Sequence, residues 1–335
     1  MRLGILRAGE RGARALAEHS RGALDRALAE PGELWVGVAS DEARLLGAFQ
    51  RSEPRSEARG VTGAQAPPFV HRGSGGPEVW VAPGTVHVAL ALAHPAAFVA
   101  CDEKRIVNRM VRPLLKALTR VGALSHFFGR DWVSVHHRPA AWVGFGHDAA
   151  TRRTLFEAFV AVHAPFAPAR ESFQGKEPTT LDAMLGEIGR PPVAPARVVD
   201  AIVDAYIAAW GAEAVSLALP EPASPLPADV VDETPWAATV EEAIGTLGAG
   251  PDAQGVFRLG GSLLASRDAV ARLEAAAPTT ASDALGALVD AALAGPGVAL
   301  DGVRSLTSVR DVIVSALALA RPPVPDPRAP TPSRP

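Results

Sequence analysis

The segment His71-Arg72-Gly73-Ser74-Gly75-Gly76-Pro77 constrains the chain more than any other stretch. It places Arg72, Ser74, Gly75 and Gly76 on a turn between two β-type segments, PFVHRG and EVWVAP. Missing side chains at such a turn let backbone amides approach a ligand closely. An arginine beside it suits a carboxylate or a phosphate. A glycine-rich hairpin with no ligand satisfies the same residues, so the turn acquires a meaning only from its neighbours.

Those neighbours alternate β-type and helical patterns. Apolar spacing predicts a helix from about Gly9 to Glu30, ended by Pro31-Gly32, then a strand at LWVGVAS (34–40). A second helix is expected over DEARLLGAFQR, capped by Ser40 or Asp41. Residues 52–68 read as a surface loop, followed by the β-type PFVHRG, EVWVAP and TVHVALAL. DEKRIVNRMVRPLLKALTRVG is helical with Pro113 inside it, and DWVSVHH, AAWVGFG and LFEAFVAVHAPF are β-type. TTLDAMLGEIG, with Thr180 as its cap, and ARVVDAIVDAYIAAWG are helical. The expected class is α/β in the α+β sense: a mixed or antiparallel central sheet with covering helices.

The proline-dense PEPASPLPAD (220–229) predicts a linker between a unit over 1–215 and a smaller α+β unit over 237–320, the linker region spanning 216–236. The smaller unit holds GVFRLGGSLLAS, a strand pair or strand and turn, and helices near 266–277, 281–294 and 304–320. The final stretch, 321–335, has almost nothing to bury. With 48% apolar residues among 335, both units can fill a core.

Charge and cysteine content narrow the function classes. A formal net charge of −3 gives no concentrated positive surface for nucleic acid or a membrane surface, so neither is expected as a partner. The uncharged run Val79–Cys101 is interrupted by Pro83, Gly84 and Pro95, which fits strands joined by a turn better than a membrane helix. One cysteine, Cys101, excludes an internal disulfide, and the N-terminus has no apolar stretch of signal-peptide length. A cytoplasmic location is the expectation.

Read in order, these segments resemble the lipoate–protein ligase A and octanoyltransferase family, part of the biotin/lipoate ligase superfamily. The family's Arg-Arg-x-Ser-Gly-Gly-Gly turn is matched by residues 71–77, and its following strand and glycine turn by Pro83-Gly84-Thr85. A helix then leads to Gly129-Arg130-Asp131-Trp132, similar to the family's Gly-Arg-Asn-Asp. PTTLDAMLGEIG and the helix after it resemble the family's Thr-Ser-Leu segment. The resemblance covers residues 5 to 212, and the region after 236 is similar to the family's small accessory domain. It implies a fold like that of class II aminoacyl-tRNA synthetases. It also implies lipoate or octanoate and magnesium-ATP as substrates, and a lysine of a lipoyl-domain protein as acceptor. An acyl or adenylate site is implied at Arg72, Ser74, Gly75, Gly76, Gly84, Thr85, Arg130 and Asp131.

The family pattern breaks where its chemistry is concentrated. A family lysine that contacts the acyl carbonyl, stabilising oxyanion charge, falls on Pro139. Arg138 is the one nearby substitute cation, although alternation along a strand points it to the opposite face. His71 replaces an arginine, Pro77 replaces a glycine, and the family's His-Gly falls on Phe156-Glu157. Trp142 is large where the family is small. Two readings remain: an acyl-transfer enzyme, or a non-catalytic pseudoenzyme of the same fold that binds a ligand or a protein. The histidines His136, His137, His147 and His163 are read as surface or core side chains, with no metal expected. Cys101 is read as structural, and GFGHDA lacks the βαβ context of a dinucleotide turn.

Overall fold

The computed structural model describes residues 1–51, 68–218 and 232–320. The chain runs β1 (Arg2–Arg11), α1 (Ala13–Arg21), β2 (Gly32–Ala39), β3 (Ala43–Leu46), β4 (Phe69–His71), β5 (Val79–Val81) and β6 (Val86–Leu92). Next come α2 (Ile106–Arg120), β7 (Ser125–Phe127), β8 (Trp132–Val135), β9 (Arg138–His147) and β10 (Thr154–Val160). Helices α3 (Leu181–Glu187) and α4 (Pro195–Trp210) and strand β11 (Glu213–Ser216) follow. The C-terminal part comprises β12 (Ala238–Glu242), β13 (Gly245–Pro251), β14 (Phe257–Gly261), β15 (Leu264–Ala265), α5 (Arg267–Ala276), α6 (Leu285–Leu293), β16 (Leu300–Asp301) and α7 (Leu306–Ala320).

Eight strands form one mixed sheet in the order β11-β1-β2-β6-β10-β9-β8-β7. β1 is parallel to both β2 and β11, and the other pairings are antiparallel. Both faces are covered, which is why β2, β6 and β10 are buried at every position instead of alternating. On one face Leu34, Val36, Val88, Phe156 and Val143 pack against α2, α3 and α4. On the other, Trp35, Ala89, Leu155, Phe159 and Trp142 pack beneath α1 and a small sheet ordered β4-β3-β5. The glycine turn lies on this second side, between β4 and β5.

Two expected helices are corrected. The helix expected from Gly9 to Glu30 is in fact α1, Ala13–Arg21, and residues 2–11 before it are strand β1. Leu3 and Ile5 enter one core while Leu6 and Ala8 enter the other, so this strand carries no simple alternation. Within DEARLLGAFQR, Ala43–Leu46 form strand β3 and no helix forms. Asp41 accepts from the backbone N–H of Ala13, so its carboxylate caps α1 and does not begin a helix of its own. Ala43, Leu45 and Leu46 are then buried between β4 and β5.

Elsewhere pattern and structure agree. Thr180 caps α3 by accepting from Ala183 N–H at 3.1 Å, and Pro113 lies inside α2. GVFRLGGSLLAS supplies β14 and β15, and α5, α6 and α7 fall within the expected helical stretches. Strands β12 and β13 complete a three-stranded sheet with β14 over a separate core of Leu247, Leu259, Val270, Leu273, Val289 and Ile313. The proline-rich stretch 220–229 and the tail 321–335 lie outside the described residues.

Candidate functional site

The turn after β4 runs beside β9, and the first residue it fixes is Arg72. This side chain is 1% exposed, and every nitrogen of its guanidinium is engaged. Nε donates to Ser74 Oγ at 3.1 Å, Nη1 to the Leu45 carbonyl at 2.7 Å, and Nη2 to the carbonyls of Gly75 and Pro77, each at 2.7 Å. The guanidinium stacks over Trp142 at 4.1 Å. Burial pulls its pKa down to about 10, opposed by Glu157, so it remains a cation at neutral pH.

Glu157, in the middle of β10, faces that cation from 4.0 Å. Its carboxylate accepts from the Ser74 hydroxyl, from Ser74 N–H at 3.3 Å and pairs with His87 Nε2 at 2.7 Å. Burial opposes its charge, yet the bonds from His87 and Ser74 and the Arg72 charge hold the carboxyl below the usual range. His87 stacks on Phe159 at 4.6 Å, so the polar chain is boxed in by aromatic rings. Arg72, Ser74, Glu157 and His87 thus form one buried network tying the turn to β6 and β10.

The backbone of the turn is likewise engaged. Gly73 N–H donates to Ser20 Oγ at 2.9 Å, Gly75 N–H to the Phe145 carbonyl at 3.1 Å, and Gly76 N–H to the Leu263 carbonyl at 2.8 Å. Leu263 belongs to the C-terminal part, whose β15 lies against β9. A Cβ on Gly75 would stand 2.1 Å from Leu263 O, and Gly76 has φ +90°, so both positions require glycine for the protein's own packing. Trp142 and Gly144 share a face of β9, and the indole lies across Gly144, where a Cβ would meet it at 2.4 Å. The residue that sequence marked as too large therefore fills the face beside the turn.

The other expected site residues are distributed around this centre. Gly84, φ +89°, donates to the Ala39 carbonyl at 2.9 Å and abuts His163, while Thr85 Oγ1 accepts from Ala82 N–H at 3.1 Å. Both residues shape the turn between β5 and β6. Arg130 is half-buried between β7 and β8. Asp131 is buried and pairs with Arg170 at 2.6 Å, burial pushing its carboxyl above the ordinary range despite that partner. Arg138 points to Glu187 at 3.1 Å and toward the carbonyls of Glu177 and Pro178, all outside the turn network. The Pro139 carbonyl accepts from Thr179 N–H at 2.8 Å.

Sequence reasoning gave His87, Arg170 and Glu157 no role in the site. The available signal was a polar residue at the centre of an otherwise apolar strand in both TVHVALAL and LFEAFV. The histidines do not converge: His147 bonds to Thr154 Oγ1 and the Gly297 carbonyl, His163 pairs with Asp182, and His137 stacks on His126. Among the described residues no group of three metal-ligating side chains comes together. A cavity of about 340 Å³ opens against the turn itself, bordered by His71, Arg72, Gly73, Gly75, His147 and Arg267, so two of the expected site residues, Arg72 and Gly75, line it. No helix among the described residues is long and apolar enough to cross a membrane.

No family model and no curated protein matches the sequence. Solved structures do match in shape. A lipoate–protein ligase A bound with ATP superposes with a TM-score of 0.51 at 12% identity, over 66% of this chain and 90% of that one. The chain has the fold of a lipoate–protein ligase. A bipartite lipoate–protein ligase from Thermoplasma acidophilum, from a structural analysis of that ligase and its E2 lipoyl domain, gives 0.46 at 14% identity over 66% and 87%. Biotin protein ligase from Leishmania major gives 0.34 at 12% over 77% and 98%. At these identities the likeness is one of fold.

Proposed function

We propose that this chain is a non-catalytic binding module built on the lipoate–protein ligase fold, in which the glycine turn anchors the protein's own C-terminal part. The observation that carries the reading is the Gly76 N–H to Leu263 carbonyl hydrogen bond beside an indole lying over Gly144. A turn that receives an acyl-adenylate needs free amides and an open face; here the amides are engaged by backbone, hydroxyl and carboxylate oxygens of the chain itself, and Trp142 lies over Gly144 beside the turn. Pro139 at the family's lysine position supports the same reading, since it offers no side-chain cation to a developing oxyanion.

The test is incubation of the full chain with lipoate, magnesium-ATP and a lipoyl domain, and separately with an octanoyl-loaded acyl carrier, reading the mass of the acceptor. The expected result is an unmodified acceptor under conditions where an authentic ligase modifies it fully. An acyl adduct would replace this proposal with the enzymatic reading, in which lipoate or octanoate and ATP are substrates and a lipoyl domain is the partner. That second reading draws its support from the cavity of about 340 Å³ bordering the turn, which leaves room for a small molecule nearby. Calorimetry with lipoyl-adenylate tests only whether the chain takes an acyl ligand at all: no heat is expected where its own chain closes the turn, and the acceptor mass decides between binding and transfer.

A further inference from the structure

We propose that the solvent face of α2 is a docking surface for an acidic protein helix that presents carboxylates at every fourth position. α2 covers the face of the sheet opposite the glycine turn, burying Ile106, Met110, Leu114 and Leu118. Its outer face, with the short turn that leads into it, carries Lys104, Asn108, Arg112, Lys116 and Arg120, all exposed. Residues four apart lie one above another on a helix, so these side chains form a single row about 24 Å long. Exposed Arg105 and half-buried Arg109 add two cations beside the row, and α2 itself contains no aspartate or glutamate. Two of the chain's three lysines stand here. The formal net charge of −3 conceals this local concentration.

The fold makes little use of these charges. The two acids just before α2 are taken, Asp102 by Arg105 at 3.5 Å and Glu103 by Arg152 at 3.0 Å. Arg112 donates to Asn108 Oδ1 at 3.2 Å, within the helix. Among the described residues no carboxylate lies within ion-pair distance of Lys104, Arg112, Lys116 or Arg120, whereas Arg2, Arg138, Arg272 and Arg310 each have one. The row even costs the helix stability. Arg112 with Lys116, and Lys116 with Arg120, are like-charge pairs four apart, and Lys104 and Arg105 stand at the positive end of the helix dipole. Carboxylates from outside relieve that repulsion. The width of the positive band selects their source. α4 lies alongside α2, Tyr206 donating to the Met110 carbonyl at 2.8 Å, and it exposes Asp200 and Asp204. A membrane surface or a nucleic-acid duplex is broader than the band and meets those carboxylates too, whereas a helix about 10–12 Å across fits the row alone. Half-buried Leu115 adds an apolar contact beside the row. This surface and the glycine turn lie on opposite faces of the sheet, so the inference goes beyond the binding-module reading and does not depend on it.

The probe is a fluorescein-labelled, alanine-based helical peptide of about 20 residues with glutamate at every fourth position, long enough to span the row. It is titrated with the full chain and read by fluorescence anisotropy at low and at physiological salt. Saturable binding that weakens with salt is expected. The triple variant Arg112→Ala, Lys116→Ala, Arg120→Ala should bind about tenfold more weakly, from the loss of three exposed charge pairs. Its melting temperature should be unchanged or slightly raised, because like-charge pairs are removed, and this separates lost docking from lost folding. Replacing Arg272 and Arg310 by alanine, at a distance from α2, should leave the affinity as it is. A peptide of the same composition with its glutamates scattered around the helix should bind several-fold more weakly. A DNA duplex and phosphatidylserine vesicles, titrated in parallel, should bind less than the acidic helix. Absent binding of the helix, equal affinity for the triple variant or for the scattered peptide, or tighter binding of duplex or vesicles would overturn the proposal.

Discussion

Replacing Glu157 by glutamine isolates the network that locks the turn. The substitution keeps the shape of the side chain but removes the negative charge facing Arg72 from 4.0 Å and pairing with His87 at 2.7 Å. Both Arg72 and Glu157 side chains are fully buried, so solvent cannot compensate the orphaned guanidinium. Removing one member of a buried pair costs about 3–5 kcal/mol because the other charge is left uncompensated. Against a total stability on the order of 5–15 kcal/mol, that is a large fraction. It corresponds to a fall in melting temperature of roughly 5–10 °C for a chain of this size. Thermal and urea unfolding followed by circular dichroism measure it, and the double variant with Arg72→Met tests the coupling. If the network is as described, the double variant is less destabilised than the sum of the two singles. The pH dependence follows from the depressed Glu157 carboxyl. Its contribution is present above the ordinary glutamate value of about 4.3 and is lost as pH falls through the lower folded value, so Glu157→Gln flattens the acid limb of the stability curve. A Glu157→Gln protein within about 1 kcal/mol of the native chain, with additive double-variant energies, would refute the network as the lock.

Further expectations follow from the same contacts. Trp142→Ala removes the indole over Gly144 and should destabilise by about 3–5 kcal/mol. The apolar space it leaves should let octanoate raise the melting temperature of the variant but not of the native chain, a difference read by thermal shift. Gly75→Ala forces a Cβ against the Leu263 carbonyl. It should loosen the C-terminal part from the turn, seen as faster proteolysis near Leu263 than in α2, by at least about threefold. Arg138→Ala loses an exposed ion pair with Glu187 and two long contacts to the Glu177 and Pro178 carbonyls, and should change stability by less than about 1 kcal/mol in urea unfolding.

How far the sequence carried depends on the range of each interaction. β6, β8, β9 and β10 were legible because buried apolar runs bounded by polar turns read as strands from local pattern alone. Thr180 was legible for the same reason, since a cap and its target lie three residues apart. β1 and β3 were not, because what decides them is distant. Asp41 is committed to α1 across a separation of 28 residues, and β1 is buried between β2 and β11, its second neighbour lying beyond residue 212. The turn itself was visible as a place where backbone comes close to something. That the something is Leu263 and a Glu157 carboxylate separated from Ser74 by 83 residues is tertiary information. The ordered motifs pointed to the fold, and the departures at Pro139 and Trp142 marked where its site differs, but neither could reveal that the C-terminal part closes the turn.

The central claim, that the glycine turn is engaged by the protein's own chain, is tested most directly at the Gly76 amide. Residue-resolved hydrogen exchange, with and without lipoyl-adenylate, reports whether this N–H is held by the Leu263 carbonyl. The account expects Gly76 to exchange about as slowly as the core of β6 and to be unchanged by the ligand. Rapid exchange in the free protein, or protection appearing only when lipoyl-adenylate is added, would contradict it.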